Sequence, residues 1–291
     1  MIHGVINSEK YVYHYTSIEV AYNYILKDQT IKLGRYSLTN DPKEYRDWDF
    51  SIGTNRGKDL GTYHMGELSR WLSDALKQTT KLVCFATDTG PLNGDITHQD
   101  LYRRGFSKPR MWAQYGDRHR GVCLVFDKAA LHKEILAQVP LGADVRSGKV
   151  NYVDAPLLRT FGAPDPYQIN VDVLDDVGRT AYVALHLKTY GTHLFFEKSS
   201  DWRDECEYRW VVGTDDDDDL FVRFGDSLVG IMFGDDTPEK VVQDIMGITA
   251  NRDLSFMGMK WRNSSPWYDM ANLRYVTGIQ NTAWAKQIKR L

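Results

Sequence analysis

The order of strand-like and helix-like segments limits this chain to a small set of folds. Short runs rich in β-branched and aromatic residues recur from residue 11 onwards, but they do not alternate strictly with helical segments. Three strand candidates follow one another directly, at residues 207–212, 220–224 and 228–233. Since a doubly wound fold needs regular βαβ alternation, we expect an α+β fold in which helices surround a mixed or antiparallel sheet.

Helical periodicity and turn chemistry predict the segments around this sheet. Thr16 and Glu19 form a capping box before apolar residues at helical spacing. Pro42 is suited to the first position of a helix that reaches about residue 50. Residues 87–108 are polar and longer than an ordinary connection, which predicts a loop beside a substrate site. Further helices are predicted at residues 65–79, 109–115, 128–138 and 167–193.

The chain shows neither a linker composition nor an internal repeat. We therefore predict a single domain over residues 1–291 with helical insertions. Its core is expected at about residues 11–234, with a C-terminal extension at residues 235–291 that ends in a strand at 273–277.

Composition excludes several classes of protein. The 291 residues include 36 Lys and Arg against 39 Asp and Glu, and this balance argues against a general polyanion binder. Three cysteines are too few for a disulfide framework and form no zinc-binding pair, so no metal site is predicted. Without a secretory leader or an apolar run of about 18 residues, we expect a cytoplasmic protein that does not bind a membrane.

The strongest candidate for chemistry is a pair of glutamates at the start of a predicted strand. Glu205 and Glu207 are separated by one residue, so strand geometry is expected to place both carboxylates on one face. Two like charges this close are unfavourable unless partners or function hold them. Arg203 and Arg209 are candidate partners in a structural pair. Alternatively, the pair is catalytic and faces a substrate whose reacting carbon becomes cationic.

Three other segments carry residues suited to ligand binding. His14 lies near the end of a predicted strand, where it either donates a hydrogen bond into a cleft or is satisfied within the core. The Asn40-Asp41-Pro42 turn either simply caps a helix or places Asp41, Glu44 or Arg46 at the rim of a ligand pocket, with the Arg46 guanidinium near a phosphate. Trp112 and Tyr115 lie three residues apart on a short helix, where they either pack or stack on a planar ring.

Taken in order, these motifs resemble a bacterial family described as domain of unknown function 2971. The resemblance extends over about residues 11–234. It is carried by Tyr13-His14-Tyr15-Thr16, Asn40-Asp41-Pro42 with Glu44, Met111-Trp112 with Tyr115-Gly116-Asp117, His119-Arg120-Gly121-Val122-Cys123-Leu124, and Trp202 with Glu205, Glu207, Tyr208 and Arg209.

The layout is also similar to that of ADP-ribosyltransferases, including the DarT-like group of DNA-modifying toxins. This second resemblance implies a split, mixed β-sheet core that holds NAD, the substrate, in its cleft. It matches His14 to the histidine of the first strand, and either Tyr36 or Ser37 to the second-strand position. It matches Glu207 to the catalytic glutamate, with Glu205 two residues before it.

The roles implied by this resemblance follow the chemistry of NAD cleavage. Glu207 is expected to stabilise positive charge on the ribose carbon, and Glu205 to orient or deprotonate the incoming nucleophile. The residues expected to bind NAD are His14, Tyr15, Tyr36, Ser37, Arg46, Trp112 and Tyr115.

The resemblance thus predicts an ADP-ribosyltransferase that modifies a macromolecular acceptor, either a protein or a nucleic acid. It also implies a toxin or antiphage defence effector with an antitoxin protein as partner. NAD hydrolysis would use the same residues. Two alternatives stay open: a non-catalytic nucleotide-sensing or interaction module, and a metal-dependent nuclease that uses Asp41, Glu44, Glu205 and Glu207.

Overall fold

The computed structural model describes residues 5–39, 41–94, 98–154, 165–214 and 218–269. The strands are β1 (Tyr11–Thr16), β2 (Thr30–Arg35), β3 (Ser51–Gly53), β4 (Thr80–Thr87), β5 (Val122–Asp127), β6 (Asp144–Lys149), β7 (Asn151–Tyr152), β8 (Gln168–Asn170), β9 (Glu197–Lys198), β10 (Glu207–Gly213), β11 (Leu220–Arg223), β12 (Leu228–Phe233), β13 (Ser255–Arg262) and β14 (Ser265–Asp269). The helices are α1 (Ile18–Val20, continued as a π-helix over Ala21–Leu26), α2 (Pro42–Tyr45), α3 (Met65–Gln78), α4 (His98–Arg103), α5 (Pro109–Gln114), α6 (Lys128–Gln138), α7 (Val171–Phe195) and α8 (Glu239–Ile248).

A ten-stranded mixed sheet forms the centre of the fold, which confirms the α+β class with a mixed sheet and helices. Its main order is β11-β2-β4-β1-β5-β12-β13-β14, while β10 pairs with β4 and β6. The β12–β13 pair is parallel and the other neighbours in this sheet are antiparallel. Two small parallel pairs, β3–β8 and β7–β9, lie beside it.

The two edges of β4 are used differently. One edge pairs with β10 along its length, from Ala86 opposite Glu207 to Thr80 opposite Gly213. The other edge is shared, because β2 pairs with β4 residues 81–82 and β1 pairs with residues 86–87. Although all three strands are fully described, residues 83–85 pair with neither β1 nor β2. This leaves a gap in the sheet, which we call the β4 gap.

Successive side chains of β4 and β10 point to opposite faces of the sheet, and each face packs in its own hydrophobic core. Phe85 and Trp210 pack on one face with apolar residues of α6 and α8. Leu82 and Val211 pack on the opposite face with apolar residues of α3 and α7. The β4 gap therefore lies in a strand that is covered on both faces.

Several elements differ from the predictions in their bounds or in the residue that caps them. Thr16 ends β1, and the side chain of Ser17 caps α1 by accepting from the Val20 N–H. The helix predicted up to residue 50 ends at Tyr45. The long helix predicted at residues 167–193 is displaced to α7 and interrupted at Gly178, whose φ is 77°.

The segment predicted as one polar loop, residues 87–108, contains α4 and a 3₁₀ helix over Gly105–Ser107. A buried carboxylate organises it, since Asp88 accepts from the Gly105 N–H at 2.8 Å and pairs with Arg104 at 3.1 Å. The strand predicted at residues 273–277 lies outside the described residues.

Candidate functional site

A cavity of about 270 Å³ opens at the β4 gap. Its walls come from β1, β2, β4, β9, α2 with the segment leading into it, α5, and the chain at the start of β10. The residues that line it are Tyr13, His14, Tyr15, Lys32, Leu38, Thr39, Asp41, Glu44, Leu82, Val83, Cys84, Phe85, Ala86, Met111, Tyr115, Lys198, Glu205 and Glu207. We call this space the gap cavity.

Five buried charged side chains are linked by ion pairs at the gap cavity, and four of them line it: Glu44, Lys198, Glu205 and Glu207. Arg209 donates to Glu44 and to Glu207. Lys198 bridges the two glutamates predicted from the sequence, with Nζ 2.9 Å from a carboxylate oxygen of Glu205 and of Glu207. All five side chains are in residues at most 6% exposed. We call this set the buried network; it contains three carboxylates and two cations.

Burial and charge act in opposite directions on Glu207. Burial by itself would raise the pKa of this carboxyl, but the charges of Arg209 and Lys198 outweigh burial and lower the pKa from 4.5 to about 2. Burial likewise opposes the charge of Lys198, and the neighbouring carboxylates raise the pKa of its ammonium group above the ordinary value. Glu207 and Lys198 are therefore both ionised at neutral pH.

The geometry between Glu205 and Glu207 is not that of a strand. Glu205 ends a 3₁₀ helix over Ser200–Glu205, and Cys206 is in the left-handed region with φ 47°. The Thr87 N–H and hydroxyl hold this turn by donating to the Cys206 carbonyl at 2.9 and 2.8 Å. The alternation predicted for the pair is therefore wrong, and Lys198 brings the two carboxylates together instead.

Glu205 has a second partner within the gap cavity. The Tyr115 hydroxyl donates to Glu205 Oε1 at 2.7 Å. The backbone N–H of Glu207 donates to the Tyr152 hydroxyl at 2.9 Å. These contacts connect α5 and β7 to the start of β10 and fix both glutamates in position.

His14 reaches the gap cavity from the opposite side of β4. Its Nδ1 lies 3.1 Å from the Cys84 carbonyl oxygen, and its ring centroid is 5.5 Å from that of Phe85. Burial lowers the pKa of His14 more than the contact with the carbonyl raises it, so the imidazole is neutral at pH 7. Because a carbonyl only accepts, Nδ1 carries the proton and Nε2 is left as an acceptor.

His14 and Glu207 come together only because of the β4 gap. Tyr13 and Glu207 both pair with Ala86, so their side chains share one face of the sheet. Because side chains alternate along a strand, the side chain of the next residue, His14, leaves β1 on the other face. The strands β1 and β10 are not neighbours, since β4 lies between them. Both side chains nevertheless line the same cavity, because the cavity extends along residues 83–85 of β4, which pair with neither β1 nor β2.

Of the residues predicted to bind or act on NAD, five line the gap cavity: His14, Tyr15, Tyr115, Glu205 and Glu207. Tyr15 also donates its hydroxyl to the Gly105 carbonyl at 2.6 Å. These five residues come from β1, the C-terminal cap of α5, the 3₁₀ helix before β10 and the first residue of β10. The structure thus unites three of the motifs that are far apart in the sequence.

Four other predicted residues, Tyr36, Ser37, Arg46 and Trp112, are not among the described residues that line this cavity. Tyr36 is fully buried, with its ring centroid 4.7 Å from that of Phe195, so it fills a core instead of stacking on a cavity ligand. Ser37 lies in a 3₁₀ helix that leaves the sheet directly after β2.

Arg46 and Trp112 are likewise used elsewhere. Arg46 is exposed and donates to the Tyr45 hydroxyl at the surface. Trp112 is fully buried, and its indole N–H donates to the Phe106 carbonyl at 2.8 Å. A buried indole with a satisfied N–H is a packing residue.

The sequence motifs pointed to one correct partner and missed another. Arg209 pairs with Glu207, as expected if the glutamates have a structural role. Arg203, the other candidate partner, is exposed and donates to the Ser200 carbonyl. Lys198 stands outside every motif. The only local signal was a single lysine next to an apolar run, which does not distinguish a buried cation from a surface one.

Within the described part of the chain, no group of three or more His, Cys, Asp or Glu side chains is arranged to hold a metal ion. Over the same residues, none of the helices combines the length and the apolar character needed to cross a membrane.

No curated protein and no solved structure matches the chain. A family model matches residues 111–210, which run from α5 into β10 and include Tyr115, Lys198, Glu205 and Glu207. This match covers about a third of the chain and supports the resemblance indicated by the motifs: over these residues the chain is similar to the family described as Protein of unknown function (DUF2971).

Proposed function

We propose that the gap cavity binds NAD and that the protein transfers ADP-ribose from NAD to a macromolecular acceptor. The observation that carries the proposal is the meeting of His14, Glu205 and Glu207 at one cavity, although their strands lie on opposite sides of β4. Paired carboxylates facing a polar acceptor are the groups that cleavage of a glycosidic bond requires.

The chemistry assigns a separate role to each glutamate. The bond between the nicotinamide nitrogen and the ribose carbon breaks, and its electron pair leaves with the neutral nicotinamide. Positive charge then develops on the ribose, next to the ionised Glu207. The acceptor oxygen or nitrogen forms the new bond to the ribose carbon, and its proton passes to Glu205.

The buried network suits this reaction because its charges do not cancel. Glu44, Glu205 and Glu207 exceed Arg209 and Lys198 by one negative charge. A fixed negative charge held by the protein stabilises a developing cation without reorganisation at the moment of reaction. Nε2 of the neutral His14 accepts a hydrogen bond from a ribose hydroxyl.

The size of the cavity limits which part of NAD is enclosed. Sites for whole small molecules measure about 300–1,000 Å³. The gap cavity, at about 270 Å³, suits the nicotinamide and its ribose, with the adenosine part at the mouth.

The test is nicotinamide release from NAD, measured with the purified protein and a cell extract as the source of acceptors. We expect Glu207→Gln to lower the rate roughly a hundred- to a thousandfold, the typical effect of removing one such electrostatic contact. NAD affinity should change less, because the charge matters mainly once the bond begins to break.

Glu67→Gln is the matched control, because it makes the same change in an exposed pair with Arg179. A protein that leaves NAD intact, or a folded Glu207→Gln variant that works at the wild-type rate, contradicts the proposal. Digestion of the labelled product with a nuclease or a protease separates nucleic-acid from protein acceptors.

One observation favours a second candidate, a non-catalytic nucleotide-binding module. Both glutamates are already paired with cations, as a purely structural role requires. In that case NAD binds without nicotinamide release, and Glu207→Gln changes stability alone. The roles of toxin and antiphage effector, and an antitoxin partner, stay predictions of the resemblance.

A further inference from the structure

We infer that the gap cavity selects a ligand with a planar organic cation and that Asp41 is the residue that binds this cation. The inference rests on the proposed function, in which the cation is the oxidised nicotinamide ring of NAD. It adds a residue for ligand selection that neither the glutamate pair nor His14 supplies.

The first observation is an unused carboxylate oxygen. Asp41 lines the gap cavity and is 4% exposed. Its Oδ1 accepts from the Lys43 N–H at 2.9 Å and caps α2. Its Oδ2 is buried and has no hydrogen-bond partner within the described part of the chain. A buried acceptor in this state is destabilising unless another group satisfies it, and a cavity ligand can do so.

The second observation is the charge of the cavity. Counted by formal charge among the described residues, the Asp41 carboxylate adds one negative charge beside the buried network, whose carboxylates already outnumber its cations by one. Lys32 also lines the cavity, but its side chain is 48% exposed and pairs with Asp219 at 2.6 Å. His14 is neutral at pH 7 because burial lowers its pKa. By formal charge, the carboxylates of the interior therefore outnumber its cations by two.

The third observation is the aromatic lining. Rings of Tyr13, Tyr15, Phe85 and Tyr115 contribute to the walls of the gap cavity. Aromatic faces attract cations and accommodate planar rings, whereas they do not coordinate metal ions. Excess negative charge disfavours a phosphate or carboxylate at this position. The combination fits a pyridinium ring whose amide group donates to Asp41 Oδ2.

The test compares ligands that differ mainly in ring charge. NAD and NADH share nearly all their atoms, but the dihydronicotinamide ring of NADH is neutral. 1-Methylnicotinamide and nicotinamide form a second such pair without the ADP part. Calorimetry on the full chain should show that the cationic member of each pair binds more tightly, by roughly ten- to a hundredfold.

Asp41→Asn should reduce this discrimination several-fold, to the part that the buried network and the aromatic walls provide without Asp41. Asn keeps the size of the side chain and remains a good helix cap, so the substitution removes mainly the charge. Asp59→Asn is the matched control, because Asp59 also caps a short helix and is exposed. If Asp41→Asn unfolds, Asp41→Ser retains capping and tests the same point.

The outcomes separate the two claims. Loss of discrimination in Asp41→Asn but not in Asp59→Asn supports the inference. Equal affinity of the wild type for both members of each pair, or unchanged discrimination in a folded Asp41→Asn, overturns it. If discrimination depends on Asp41 but NAD is not cleaved, the proposed transferase activity is wrong and the cation site is supported. If NAD is cleaved but discrimination does not depend on Asp41, the cation site is wrong and the transferase activity is supported.

Discussion

Two clusters in this protein combine carboxylates with Arg and Lys in opposite surroundings. In the buried network, Arg209 contacts Glu44 and Glu207 with no exposed side-chain surface. Near the start of α7, Arg56 pairs with Asp176 at 2.6 Å, and these side chains are 58% and 48% exposed. Lys58, whose side chain is 31% exposed, pairs with Asp175 at 2.6 Å. We call this second set the surface cluster.

The difference in burial between the two clusters indicates which charged residues are candidates for a function. Exposed pairs contribute little because water and salt screen them. Buried charges lose hydration, which their mutual attraction only partly offsets. A chain that keeps five such charges beside a cavity has a structural or a chemical use for them, and the gap cavity offers the chemical one. Matched substitutions in the two clusters test this contrast.

The largest effect is expected for Arg209→Met. This change leaves Glu44 and Glu207 buried without their shared cation, which typically lowers the free energy of unfolding by about 3–5 kcal/mol. Urea unfolding followed by circular dichroism measures the loss. A decrease below about 1 kcal/mol would mean that the network is more hydrated than its burial indicates.

The next effect is a pH dependence that comes from Glu207. Its pKa is about 2 in the folded protein against an ordinary 4.5, so the folded state binds its proton less readily. The stability from this group is complete above about pH 4.5 and is lost as the pH falls towards 2. The expected loss is on the order of 3 kcal/mol.

Glu207→Gln should make unfolding less sensitive to pH in this window, because Gln does not titrate. Acid unfolding curves of the wild type and the variant provide the comparison. Glu67→Gln, in an exposed pair, should retain the wild-type pH dependence. Parallel curves for the wild type and Glu207→Gln would show that another carboxyl dominates acid unfolding.

The smallest effect is expected for Arg56→Met in the surface cluster. The pair with Asp176 is exposed, so the free energy of unfolding should fall by about 1 kcal/mol or less. High salt should shrink even this change, because it screens exposed charges. A loss as large as that of Arg209→Met would remove the distinction between the clusters.

Parts of the site could be predicted because they depend on local sequence. The Glu205–Glu207 pair and His14 stood out by residue type and position next to strand-like runs. The same local reasoning failed for Tyr36, since a tyrosine after a strand is equally suited to a ligand and to a core. Only the packing of α7 against the 3₁₀ helix that follows β2 decides that Tyr36 contacts Phe195.

By itself, the sequence determined the elements whose signals are local. The α6 helix spans the predicted residues 128–138, since its Asp127 cap and its apolar positions are neighbours in the chain. The β4 gap, the bridging role of Lys198 and the free oxygen of Asp41 were decided by tertiary structure. Each depends on which strands pair and which charges lose water, and these contacts join residues far apart in the chain.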